Sequence, residues 1–373
     1  MGVGKRGLQT MEMLYKPDWA ETAARFEAWW AGEALDRCAL AVTAPLAHPP
    51  ADAPAPPSDD VDLETYWTDP EHVVARFEAA AARTFFGGEA FPLLVVNMGP
   101  GSLAGYLGSP VHLADDTIWF DSIIKQWDAF EPVLDPANEW WQITRRITAY
   151  AAERAAGRYF VSLADLGDAG DLIAHLRGSD QLCVDLIMDA QPVLELRERM
   201  EALWCQAYDE LLELIHGAGL EGSSGWIGLW SPGRTYPLAN DFSCMISARM
   251  FRETFRPELE HLSAWLDHSI YHLDGPGALH HLDAILELPH LNAVQWVPGA
   301  GAPPATHWIP VLRRIQRAGK GVQLDVAPGE VEFLLQHLSA RGLFLRTSCA
   351  TEAEARELLE KAKQWSTDRP RGG

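Results

Sequence analysis

Two hydrophobic periods alternate along this chain. Short apolar, β-branched or aromatic runs stand at 37–43 (RCALAVT), 92–97 (PLLVVN), 159–164 (YFVSLA), 226–230 (WIGLW), 269–273 (SIYHL), 293–297 (AVQWV), 321–326 (GVQLDV) and 343–347 (LFLRT). Periodicity alone does not separate a buried strand from a buried helix, so their shortness and their Gly/Pro punctuation identify them as strands. Most are followed by a turn signal and then by an amphipathic helical stretch. Thr68-Asp69-Pro70-Glu71 supplies an N-cap, an early proline and a capping acid, and predicts a helix that buries Val73, Val74, Phe77 and Phe85 and stops at Gly87-Gly88. The stretch 192–216 repeats Leu196, Met200, Leu203, Trp204, Tyr208, Leu211, Leu212 and Ile215 at helical spacing and stops at Gly217 and Gly219. A second capping box, Thr351-Glu352-Ala353-Glu354, opens the last helix, which ends near Trp365.

Eight strand–helix units imply a parallel sheet with helices outside, and favour closure over an open doubly wound sheet. No GxGxxG follows the first strand, which weakens the dinucleotide-binding alternative. The expected architecture is therefore α/β, a single (β/α)8 barrel with an N-terminal helical extension and long capping loops. Residues 1–36 form the leader and extension, 37–365 the barrel, and 366–373 a disordered tail. The uneven strand spacing leaves room for extra helices, and the Pro-rich stretch 45–57 (PLAHPPADAPAPP) is one capping loop.

A barrel carries its active site at the carboxyl ends of its strands. Just past the strands lie Asn97, Asp165, Trp230-Ser231, His272 with Asp274, Trp296, Asp325, and Ser348-Cys349. His272 and Asp274, two apart on an extended chain, point to one side. Gly275-Pro276-Gly277 then turns the backbone tightly without obstructing a ligand. A core histidine and a helix-capping aspartate explain the pair equally well. His280 and His281 fall in the next helix as surface or packing residues. Cys349 stands at a helix N-terminus, where the dipole favours thiolate, although a small buried hydrophobe is the commoner fate of a free cysteine. His272, Asp274 and Cys349 would leave a tetrahedral metal one open position. Asp241 is a candidate acid–base or substrate-binding residue or a helix cap, and Cys244 beside it a fourth ligand or, preferably, a bystander. Asn97, Asp165, Trp230, Trp296 and Asp325 are candidate substrate contacts. Trp226, Trp230 and Trp296 would offer flat walls to an aromatic ether, a sugar face or a methylated ammonium, or else pack the core.

Composition narrows the function classes. A formal charge of −22 excludes a basic nucleic-acid footprint. No apolar run approaches the ~20 residues that span a bilayer, and no signal-peptide pattern is present, so a cytoplasmic protein is expected. The first ten residues read as a disordered leader or an early start, with Met11 beginning the folded part. Five cysteines without a CxxC pair are expected to be reduced thiols.

The stretches DFSCMISARMFRETFRPELEHL (241–262), SIYHLDGPGALHHLDAILELPHLNAVQWVPGAG (269–301) and RTSCATEAEARELLEKA (346–362) resemble the uroporphyrinogen decarboxylase-like superfamily. That superfamily includes the decarboxylase and many cobalamin-linked methyltransferases. Weaker similarity runs through 106–121 and 176–200. The resemblance implies a single (β/α)8 barrel. Where the decarboxylase carries an arginine after the first strand, this chain reads AVTAPLAHPP, so porphyrinogen decarboxylation is not expected. The methyltransferase branch is similar at His272 and Cys349, and its zinc-dependent members carry H-x-C where this chain has His272-Leu273-Asp274. The carboxylate makes a harder ligand set, compatible with zinc or another metal. The resemblance thus implies a small-molecule methyltransferase working with a corrinoid carried by a separate protein, with Asp241, His272 and Asp274 catalytic. The alternatives are a lyase, decarboxylase or carbohydrate-processing enzyme using Asp241 or Asp274 as acid–base, and a non-catalytic binder. A homodimer is compatible with either enzyme.

Overall fold

The computed structural model describes residues 13–366. The expected leader and most of the expected tail fall outside them. The strands, in chain order, are β1 (Ala39–Pro45), β2 (Thr84–Gly88), β3 (Leu93–Leu94), β4 (Val111–Leu113), β5 (Ile118–Phe120), β6 (Phe160–Val161), β7 (Ser223–Ser224), β8 (Trp230–Ser231), β9 (Thr235–Ala239), β10 (His268–Asp274), β11 (Ala293–Val297), β12 (Gly321–Asp325) and β13 (Leu343–Ser348). Seven of them form one sheet in the order β2-β1-β13-β12-β11-β10-β9, parallel throughout except for the antiparallel edge strand β2. Helices separate most of the parallel strands, as the alternation predicts.

The sheet is not closed. From its β9 edge it is continued by short pieces: Thr235 N–H donates to Ser223 Oγ at 2.8 Å, and Leu163 N–H to Ser224 O at 2.9 Å. The two-residue ladder of β3 with β6 follows. No ladder among the described residues joins β3 to β1, because β2 occupies that side of β1. The architecture is α/β with a mostly parallel sheet, consistent with a TIM-like fold.

Two expectations change here. The helix opened by Pro70 ends at Ala81, and the residues before Gly87-Gly88 turn back as β2. Phe85 therefore sits on a strand, where aromatic residues are as much at home as on a helix. The run 226–230 is the turn and return of a hairpin between β7 and β8, and the parallel strand of that unit is β9. Pro237 disguises β9 in the sequence. It has no N–H to donate, and it is tolerated because β9 pairs with β10 on one side only.

Alternation sorts the sheet's two faces. Leu40, Val42, Leu238, Tyr271, Leu273, Val294, Trp296, Val322, Leu324, Leu343 and Leu345 pack in the core shared with the surrounding helices. Their neighbours Ala39, Ala41, Ile270, Ala293 and Phe344 belong to a second cluster with Trp19, Phe26, Trp29 and Trp30 of the helix Trp19–Trp30 and with Ile227, Leu229 and Trp230. That helix therefore plugs the inner face at the amino ends of the strands, and Trp30 Nε1 fixes it by donating to Trp230 O at 2.9 Å. Two residues further along each strand the inner face becomes polar: Ile270 gives way to His272 and Asp274, Ala293 to Gln295, Gly321 to Gln323 and Asp325, and Phe344 to Arg346. The polar site thus stands on a dry aromatic plug.

Buried charge clamps the β1–β2 edge. Lys16, fully buried, donates to Phe86 O at 2.9 Å and Gly88 O at 2.7 Å. Glu89, also fully buried, takes Arg37 in a fork at 2.6 and 2.9 Å and the Leu40 N–H at 2.5 Å.

Candidate active site

At the carboxyl ends of the strands a cavity of about 510 Å³ is walled by Asp165, Asp168, Asp171, Asp241, His272 and Trp226, among others. At its edge one ligating atom each of Asp241, His272 and Asp274 converge within 4.8 Å of one another. His272 and Asp274 come from β10, where the two-residue spacing puts both on the inner face. Gly275 follows at φ +73°, a conformation that a side chain resists, and turns the chain away directly after Asp274. Asp241 arrives from the 3-10 turn Asp241–Met245 beyond β9. That turn is held from both sides: Asp171 accepts the N–H groups of Asp241 at 3.0 Å and Phe242 at 2.8 Å, while His281 donates to Ser243 O at 2.8 Å and His280 to Ile246 O at 2.9 Å.

Gln295, directly beside His272 on β11, fixes the histidine's tautomer. Its Oε1 lies 2.5 Å from His272 Nδ1. An amide oxygen only accepts, so Nδ1 carries a proton, and in the neutral imidazole Nε2 keeps its lone pair. Trp226 packs edge-on against the imidazole with ring centroids 5.1 Å apart. The carbonyl of the next residue, Ile227, accepts from Arg346 at 2.6 Å, and Arg346 is itself held by both oxygens of Asp325 at 2.6 Å.

Asp165, Asp168, Asp171 and Asp241 are protonated more readily than ordinary carboxyl groups. Burial pushes Asp165 up to about 6, against the N–H groups of Gly167 and Gly101. Burial and then the neighbouring Asp171 push Asp241 up to about 6, with His272 pulling the other way. Burial also raises Asp171 and lowers His175, which lines the cavity. Asp168, in the wall, and Glu258, which does not line the cavity, are each 1% exposed. Asp168 accepts the Ala239 N–H and Glu258 the Ala169 N–H, while Asp168 Oδ1 and Glu258 Oε2 have no partner. Burial raises both, Glu258 to about 8, and the charge of Glu258 raises Asp168 further.

The raised pKa of Glu258 ties stability to pH. The folded pKa of Glu258, about 8, exceeds its ordinary value of 4.5, so the fold binds a proton that the unfolded chain has already released. Its contribution is complete below pH 4.5, falls as pH rises toward about 8, and is lost above it. Glu258→Gln keeps the size and shape of the side chain without the titration. The gap between wild-type and variant unfolding free energies should shift in the variant's favour by about 1.4 kcal/mol per pH unit between pH 5 and 8. Parallel curves from denaturant titrations would refute a Glu258 that stays protonated in the fold at neutral pH.

The structure brings only part of the predicted site together. Asp165, Asp241, His272 and Asp274 meet at or beside the cavity. Cys349 does not join them: it is 6% exposed, packs in the outer core, and burial raises its thiol pKa instead of the helix end lowering it. The expected His272–Asp274–Cys349 trio is therefore replaced by Asp241–His272–Asp274. Cys244 lies nearer: desolvation first, and then the charges of Asp241, Asp171 and Asp274, raise its thiol pKa. Trp230 belongs to the aromatic plug, and Trp296 turns outward onto Trp308 at 5.0 Å. Asn97 is exposed and accepts the Gly99 N–H at 3.0 Å, and Asp325 is spent on Arg346. Asp168, Asp171, Gln295 and Trp226 as the histidine's partner come from the structure. The spacing of three in Asp165, Asp168 and Asp171 was the one visible signal for the acidic wall.

No protein-family model matches the chain, and no curated protein matches it by sequence. Among solved structures the fold is similar to that of a methyltransferase from Methanosarcina mazei, with a TM-score of 0.58 and 10% identity, covering 92% of this chain and 98% of that one. At this identity the likeness is one of fold. No helix among the described residues is long and apolar enough to cross a membrane.

Proposed function

We propose that the chain is an enzyme of the uroporphyrinogen decarboxylase-like superfamily, a (β/α)8 barrel in overall plan, that transfers a methyl group between a small molecule and a corrinoid on a separate protein. The convergence of Asp241, His272 and Asp274 at the rim of the cavity carries the reading. The fold likeness to a methyltransferase along nearly the whole chain supports it.

One imidazole and two carboxylates form a hard donor set that fits zinc or a neighbouring divalent metal. The unpartnered Asp274 Oδ1 and the free His272 Nε2 are the groups that such an ion would complete. When bound, the ion polarises a leaving group or acidifies an acceptor. Gln295 keeps the histidine in its ligating tautomer, a role like that of other residues behind metal ligands. Trp226 shields the imidazole from water.

The second reading is a lyase or decarboxylase in which Asp241 alone does acid–base work, favoured by its raised pKa within the cavity. A carbohydrate platform of Trp230 and Trp296 is not assembled. Metal analysis separates the two readings. One equivalent of divalent metal is expected in wild type and in Cys349→Ala, and loss of it in Asp241→Ala/Asp274→Ala. Turnover unaffected by chelation, with metal absent from every form, would move the assignment to acid–base chemistry.

A further inference from the structure

We propose that the cavity binds a small organic cation, an ammonium of the primary or methylated type, held by Asp165, Asp171 and Asp241 with Trp226 as its aromatic wall. This rests on the methyl-transfer reading for the identity of the site and adds the charge of the substrate that shares it.

The lining decides the sign of the ligand. Four carboxyl groups, those of Asp165, Asp168, Asp171 and Asp241, face one cavity whose walls include no lysine or arginine. The arginine on the sheet's inner face, Arg346, is committed to Asp325 and Ile227 O. A carboxylate or phosphate ligand would enter against this field with no cation to receive it, whereas an ammonium completes it. Asp168 adds a separate sign of an absent partner: it is 1% exposed, lines the cavity, and its Oδ1 is left without a hydrogen bond. A metal ion at Asp241, His272 and Asp274 would answer part of this charge and leave Asp165 and Asp171 unpaired. A space of about 510 Å³ also far exceeds one ion and suits a small organic molecule. Trp226 supplies the ring on which an alkylated ammonium is stabilised.

Calorimetry with choline and its neutral isostere 3,3-dimethyl-1-butanol tests the proposal on the wild-type protein. Choline should bind roughly tenfold or more tightly than the isostere. Asp171→Asn should weaken choline and leave the isostere unchanged. Equal affinities for the two probes in wild type would overturn the proposal whatever the variants do. Choline binding retained in a protein that transfers no methyl group would sink the methyl-transfer reading alone. Methyl transfer without any preference for the cation would sink this one.

Discussion

His272→Ala should lower methyl transfer by roughly 10²- to 10⁴-fold, the range expected for loss of a positioned catalytic group. The variant should still fold. Its cost to stability comes from Gln295, a residue 2% exposed whose amide oxygen loses its donor, on the order of 1–3 kcal/mol. Gln295→Leu makes the informative comparison. It leaves the imidazole in place but frees the tautomer and ring orientation, and should cost about 10- to 100-fold in metal affinity or turnover. Gln295→Glu, whose carboxylate also accepts from Nδ1, should recover most of that loss. Steady-state rates together with metal titrations distinguish the cases. Turnover at the wild-type level in His272→Ala would remove the histidine from the mechanism.

The largest effect on stability is expected at the opposite end of the sheet. Glu89→Ala should destabilise the protein by roughly 3–5 kcal/mol, because it strands a buried cation. The Arg37 guanidinium is 5% exposed and would keep only the Cys38 carbonyl at 2.7 Å, and the Leu40 N–H would lose its acceptor. The double replacement Arg37→Met/Glu89→Leu should regain much of the loss, since it removes both desolvated charges together. Urea midpoints for the single and double variants check this. A cost under 1 kcal/mol for the single variant would show that β1 and β2 are held by other contacts.

Both residues show how differently the sequence displays function and support. His272 was legible because it stands two residues before another polar group at the end of an apolar run, a pattern that strand geometry alone turns into a shared face. Glu89 was invisible: one acidic residue after two glycines has no signature until Arg37, fifty-two residues earlier, folds against it. β9 was missed because Pro237 breaks the strand pattern, and β2 because Phe85 and Phe86 continue the helical rhythm of the preceding segment. Cys349 was placed at a strand end correctly, yet its side chain points to the outer core. A one-residue change of parity along β13 separates the site from the packing.

What the sequence determined by itself was the sequence of strand–helix units, the capped helices, and the His272–Asp274 pair on one face before a glycine turn. These depend on the period of side chains along one segment, which the segment carries within itself. The tertiary structure decided which carboxylate joins the pair. It also decided that Asp165, Asp168 and Asp171 share a wall, that Gln295 fixes the imidazole, and that the tryptophans divide between plug, core and site. These depend on strand register and on which face each residue occupies, and both are set by pairing between segments far apart in the chain.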